Sequence, residues 1–198
     1  GSLANSTTGF SNAQGQDGWQ HGYRNVTLDG GGTDYETGDF IQFPEDAWRG
    51  ENWRLAPGGA PWTFLAAEES HPNGANSAPN EEMWTVRRWT ADADENVIIN
   101  WTTRAVNPNG DGVTGAVHVN GVRVDSATIA GNDTTGVSRT VAASVSVGDV
   151  IDLVLTPQGL TNSTDGSDGS ANSLIIEGDV DDEGSNDLAE DTAGTEPT

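Results

Sequence analysis

Regular alternation of apolar and polar positions begins only after Glu81. Met83–Thr90 and Asn96–Ala105 are runs rich in β-branched and aromatic residues, separated by an Asp-rich turn. Thr114–Val119 and Val122–Ile129 flank Asn120-Gly121, a pair that tolerates positive φ and is the strongest short hairpin signal a sequence offers. Within that hairpin, Val117, Val119, Val122 and Val124 are expected on one face, with His118, Asn120 and Arg123 on the other. Ser138–Val145 and Val150–Thr156 flank a second turn at Gly148-Asp149, and Ser173–Glu177 reads as the last strand. Upstream the pattern is weaker. Asp39–Phe43 suits a strand stopped by Pro44, and Trp62–Ala66 a short one, while residues 1–18 read as a loop or an irregular first strand. Residues 45–80 hold three Trp and four Pro without a sustained period, which predicts long ordered loops, since Trp argues against disorder. No segment has the period of an amphipathic helix. The expected fold is all-β: an antiparallel two-sheet β-sandwich, jelly-roll-like, with about eight strands and long loops between residues 44 and 82.

Composition agrees with short strands and polar turns, because hydrophobic residues make up only 33% of the 198 and Gly numbers 26. Three parts are expected. Residues 1–12 form a flexible N-terminal segment in which Gly1-Ser2 has the look of a tag scar, 13–177 the sandwich, and 178–198 an acidic disordered tail or linker to the rest of a longer parent chain. No stretch is apolar enough to span a membrane as a helix. The absence of Cys excludes disulfides and Cys-ligated metal.

Charge narrows the partners. Thirty-one acids face eight basic residues, all of them Arg, for a net charge of −23. Residues 177–198 hold nine of the acids and no Arg, so the body carries 22 acids against eight Arg and is acidic in its own right. Such a field repels phosphates and anionic lipid, so neither nucleic acid nor membrane is an expected partner. Abundant carboxylates without Lys also fit a protein adapted to high salt, where a Debye length of about 3 Å at 1 M screens self-repulsion.

Seven Trp carry most of the functional signal. Sugar rings offer C–H faces to aromatic rings and hydroxyls to polar rims, and Trp48, Arg49, Glu51, Trp53, Arg54 and Trp62 supply that mixture in the loop-rich segment. The competing reading makes these indoles core pieces that pin long loops, since Trp is highly buried on average. Trp84 and Trp89, five apart on one strand, should face opposite ways, one of them into the core, and Trp101 is expected in the core. For a metal, Asn107, Asn109 and Asp111 match the opening of a Ca²⁺ loop, but its twelfth position falls on His118, so this is no EF-hand. Asn162, Asp165 and Asp168 form a second oxygen-rich stretch. One structural Ca²⁺, with Asn107, Asn109 and Asp111 as candidate ligands, is the only cofactor expected. No nucleophile elbow, zinc-protease motif or phosphate loop is present.

Gln14-Gly15-Gln16-Asp17-Gly18-Trp19-Gln20-His21-Gly22-Tyr23, His71-Pro72, Val86-Arg87-Arg88-Trp89-Thr90, Gly110-Asp111-Gly112-Val113, Val119-Asn120-Gly121 and Val147-Gly148-Asp149 with Ile151-Asp152 occur in that order. Together they resemble exported carbohydrate-binding-module-like β-sandwich accessory domains of multidomain bacterial surface and polysaccharide-processing proteins. The resemblance covers roughly residues 13–177 and implies a jelly-roll-like, extracellular or cell-surface module. Trp19, His21, Tyr23, His71 and Arg88, which lie in the matching motifs, are expected to converge at one end of it. The leading expectation is a non-catalytic module tethering a larger protein to polysaccharide. A structural or adhesive spacer domain is the alternative, and a polysaccharide-degrading enzyme with an unrecognised carboxylate pair the third.

Overall fold

The computed structural model describes residues 2–179, and the acidic tail expected from 178 onward lies almost wholly outside them. In chain order the strands are Ser2–Asn5 (β1), Trp19–Asn25 (β2), Ile41–Gln42 (β3), Trp53–Arg54 (β4), Phe64–Leu65 (β5), Glu69–His71 (β6), Met83–Thr90 (β7), Glu95–Ala105 (β8), Val113–Val119 (β9), Val122–Ile129 (β10), Val137–Val145 (β11), Val150–Thr156 (β12) and Ser170–Gly178 (β13). They form two antiparallel sheets. One has six strands in the order β10-β9-β12-β7-β2-β3, and the other has seven, in the order β11-β8-β13-β6-β5-β4 with β1 added beside β13. The expected sandwich is the architecture found, with more and shorter strands than the pattern suggested. Ser2–Asn5, in the stretch read as a loop or an irregular first strand, pairs with Ile175–Glu177 as a strand whose register shifts between Ser2 and Ala4.

The facing surfaces are set by alternation. Trp89, Val97, Ile99, Trp101, Val117, Ile151, Leu153, Leu174 and Ile176 close the main core between the sheets. Trp84 is also buried, but on the outer face of the six-stranded sheet, where it packs with Tyr35, Val86 and Val154. The two indoles of β7 thus take opposite faces as expected, and neither is left for solvent. One hairpin expectation differs: Val122 is 66% exposed rather than inward. The register shifts between Arg123 and Asp125, a bulge that re-aims the strand. It brings the Asp125 carboxylate to 2.9 Å from the Trp101 indole nitrogen, which donates to it.

A second cluster fills the loop-rich end. Phe43, Ala47, Trp53 and Leu65 are buried there, with Phe10, Tyr23, Trp48 and Leu55 packed against them. Arg87, on the inner side of β7, ties this end to the seven-stranded sheet by donating to Asn172 Oδ1 at 2.8 Å and to the carbonyls of Ala66 and Glu69. At the far edges of the two sheets, Arg139 of β11 reaches across to β10, 2.8 Å from the Ser126 carbonyl and 3.5 Å from Asp125.

Candidate functional site

Three very short strands make the most distinctive surface. Register pairs Arg54 with Phe64 and Phe64 with His71, so β4, β5 and β6 place these three side chains in a row. The neighbouring pairs, Trp53 with Leu65 and Leu65 with Ser70, are buried, which leaves the Arg54–Phe64–His71 row on the outer face. The Arg54 guanidinium sits 5.0 Å above the Phe64 ring, and the His71 ring lies stacked beside it at 6.3 Å. Trp62, two residues before Phe64, extends the row, 6.5 Å from His71 and 41% exposed.

The row is held from below. The buried Asn73 accepts from the Trp62 amide at 2.9 Å and donates to the Glu81 carbonyl at 2.9 Å. Asn73 opens a loop that is itself fixed by Asp165, which accepts from the Gly74 amide, Asn76 Nδ2 and Ser77 Oγ at 2.8–2.9 Å. Burial lowers the pKa of His71, so it is neutral near pH 7. Its Nδ1 lies 2.6 Å from the Pro72 carbonyl, which can only accept, so Nδ1 carries the proton and Nε2 is an acceptor.

Two shallow hollows run along this face. One, about 590 Å³, is lined by Glu51, Asn52, Arg54, Phe64 and Glu69 among others. The other, about 400 Å³, lies over Thr102, Arg104, Ala171 and Ser173 of β8 and β13. They share Thr7 and Glu68 and form one open track edged by Arg, Glu and Asn. A smaller hollow of about 260 Å³ on the six-stranded sheet touches Trp84, His118, Arg123 and Gln158. It is a poorer platform, because Trp84 is only 6% exposed and Arg24 covers its ring at 4.7 Å.

Several candidates from the sequence are consumed by packing. Trp19 lies in the main core and Trp53 in the loop-end cluster, so neither indole offers a face to a ligand. His21 is 1% exposed, between the Phe10 and Trp53 rings, and burial with nearby Arg87 lowers its pKa to about 3. Arg88 is buried and gives Asp152 a two-pronged ion pair, both contacts at 2.8 Å. Tyr23 and Trp48 are half-buried against Phe43 and Trp53. Arg49 is exposed and bonds the Leu55 carbonyl at 3.4 Å. Trp62, His71 and Arg54 are the sequence candidates that meet in the row described above, where Phe64 joins them. Trp19, His21 and Arg88 therefore do not converge with His71 on a surface. Their motifs mark the packing of β2 against β7, in which Trp19 pairs with Trp89 and Gln20 with Arg88.

The metal candidates separate too. Asn109 donates to Asn107 Oδ1 from its amide at 3.1 Å and from Nδ2 at 2.9 Å, which closes an exposed turn. Asp111 points elsewhere, and both its carboxylate oxygens are buried without a hydrogen-bond partner. It lies against Asp168, whose carboxyl can share a proton with it and has no other hydrogen-bond partner. Burial, Asp111 and then Asp165 push the Asp168 carboxyl up to about 9. Among the described residues, no group of three or more His, Cys, Asp or Glu is placed to share a metal.

No family model matches the chain, and no curated protein matches it. Solved structures similar to it include a family 35 carbohydrate-binding module from Clostridium thermocellum, at 15% identity and a TM-score of 0.33, covering 63% of this chain and 86% of that one. A family 35 module from Paenibacillus barcinonensis matches at 14% identity and a TM-score of 0.34, covering 63% and 85%. A family 51 module from Clostridium perfringens, solved with methyl-galactose, matches at 12% identity and a TM-score of 0.32, covering 60% and 75%.

Proposed function

We propose that this domain is a non-catalytic carbohydrate-binding module that holds a polysaccharide chain along the outer face of its seven-stranded sheet. The observation that carries the reading is the outer-face row of exposed Trp62 and half-buried His71, Phe64 and Arg54, whose Arg54 and Phe64 end lines an open, polar-edged track. Aromatic faces take up the C–H patches of sugar rings, and Arg, Glu, Asn and the free His71 Nε2 take up hydroxyls. An open track suits an internal stretch of polymer better than an enclosed pocket does. The spacer alternative has the five buried indoles in its favour, but it gives no reason for a fixed, exposed Trp62. A glycosidase needs two carboxyls flanking a sugar, roughly 5–9 Å apart. Asp111 and Asp168 instead lie against each other in a buried site. In this reading the module works outside the cell, in high salt, as one domain of a longer chain.

Retention on insoluble polysaccharides and on a glycan array, measured in high salt, tests the proposal. Trp62→Ala and Phe64→Ala should each weaken binding about tenfold or more, which corresponds to roughly 1.4 kcal/mol. Failure of the unaltered domain to bind any glycan removes the function. Unchanged binding by Trp62→Ala removes the site.

A further inference from the structure

Five Asn-x-Ser/Thr triplets, at Asn5, Asn25, Asn100, Asn132 and Asn162, play no part in the sugar-binding reading. Such a triplet can accept an N-linked glycan in a folded chain only under two conditions. The Asn amide and the hydroxyl two residues on must reach solvent together, and no strand ladder must hold the backbone between them. The fold separates the five on these grounds.

Asn25, Asn100 and Asn5 do not meet them. Asn25 is buried, its Oδ1 accepting from the Leu28 amide at 3.0 Å and its Nδ2 donating to Glu81 at 2.9 Å. Asn100 stands mid-strand in β8, paired with Thr140 on one side and Ile175 on the other. The Thr102 hydroxyl of its triplet is spent on Ser173 at 2.7 Å. Asn5 ends β1, and the buried Ser6 inside its triplet is bonded to the Leu174 backbone through both its amide and its hydroxyl.

Asn132 and Asn162 are exposed in loops. At Asn132 the middle residue is Asp133, whose carboxylate accepts from the Gly136 amide at 2.7 Å, and the Thr134 hydroxyl makes no hydrogen bond to the Asn side chain. At Asn162 the arrangement is complete. Thr164 is exposed as well, and it donates to Asn162 Oδ1 from its hydroxyl at 2.7 Å and from its amide at 3.0 Å. A backbone N–H can be received only by the oxygen of a side-chain amide. Oδ1 is therefore turned to Thr164, which leaves Nδ2 without a partner among the described residues. The loop is also held in place. The Gly159 amide donates to the Asn162 carbonyl at 2.8 Å, and the Ser163 hydroxyl to Gln158 Oε1 at 2.6 Å.

We propose that Asn162 is an N-glycosylation site whose co-substrate is an oligosaccharide esterified to a lipid phosphate. In the transfer, Nδ2 attacks the anomeric carbon of the sugar. The C–N bond forms as the bond from that carbon to the phosphate oxygen breaks. The lipid phosphate leaves with the electron pair, and one Nδ2 proton passes to a base of the transferase. Nothing is oxidised or reduced. The Thr164 hydroxyl stands beside the acceptor group, where the transferase can recognise it. At Asn132 the Asp133 charge would instead face an anionic donor. The proposal rests on the reading above in one respect, that the module works outside the cell, where such triplets are modified.

The test is transfer in vitro to the purified, folded domain. It uses an oligosaccharyltransferase that recognises Asn-x-Ser/Thr and a fluorescent lipid-pyrophosphate-linked oligosaccharide, with a short Asn-x-Thr peptide certifying the enzyme. A single glycan per chain is expected, mapped to Asn162 by peptide mass spectrometry. Asn162→Gln and Thr164→Ala should each abolish the label, while Thr164→Ser should keep it. Unchanged thermal melts show that these loop variants are folded. An unlabelled domain overturns the proposal, and so does label on another Asn with Asn162 bare. Label that survives Asn162→Gln overturns it too. Transfer is scored with no polysaccharide present, so its failure and a failure of glycan retention are separate results.

Discussion

The outer face of the six-stranded sheet and the junction of the loops before β9 and β13 bury charge in contrary ways. On the sheet, Asp152 is fully covered, yet each of its oxygens is engaged, by Arg88 on both and by the Tyr35 hydroxyl at 2.8 Å on one. At the loop junction, Asp168 is covered to nearly the same degree and meets only another acid, Asp111. The first cluster is complete in the chain, whereas the second sets carboxyl against carboxyl with no cationic side chain beside it. A buried carboxylate is thus informative through its unmet bonds rather than through its burial.

Substitutions can break this contrast, and the largest effect is expected on the completed side. Asp152→Ala leaves the Arg88 guanidinium buried without its counter-charge, and should cost about 3–5 kcal/mol in denaturant unfolding. A loss below 1 kcal/mol would mean that the two clusters are not different in kind.

Acid attacks the packed interior next. The folded pKa of His21, about 3, lies below its unfolded value of 6.5, so the unfolded chain binds the proton first as pH falls. The neutral His21 costs nothing above pH 6.5. Stability then drops as pH falls from 6.5 towards 3, by about 3 kcal/mol at pH 4. The measurement is the difference in unfolding free energy between pH 7.5 and pH 4, which should shrink by that amount in His21→Gln.

The smallest of the three effects separates the two acids of one loop. Asp165→Ala removes three accepted hydrogen bonds beneath the Asn73 loop, and should lower stability by about 2 kcal/mol. It should also weaken glycan retention, because Trp62 is fixed through that loop. Equal stability of Asp165→Ala and the unaltered domain would show that the loop does not depend on this anchor.

The legibility of the sequence follows the same division between regular and irregular parts. From β7 to β12, strand length, valine alternation and the turns at Asn120-Gly121 and Gly148-Asp149 all point one way, and the strands lie where the pattern predicts. β2 carries no such sign. Its inward residues Trp19, His21 and Tyr23 and its outward residues Gln20, Gly22 and Arg24 include polar groups on both faces, and Arg24 is accommodated only through partners outside the strand such as Asp29 at 2.8 Å. The strands β4, β5 and β6 are too short to show a period at all. Trp62 was visible as an indole in a loop. Phe64 carries no signal, because its place beside Arg54 and His71 is a matter of register across three segments. Asp111 stood out from its local frame, but the carboxyl it meets belongs to another loop, and no spacing rule connects the two.

Arg139 spans the gap between the last strands of the two sheets, where β10 and β11 each have an unpaired margin. A stray extended peptide seeking N–H and C=O groups along that margin meets a guanidinium and a carboxylate instead. The seam therefore resists strand addition when many copies are crowded side by side, without any proline or lysine to guard it.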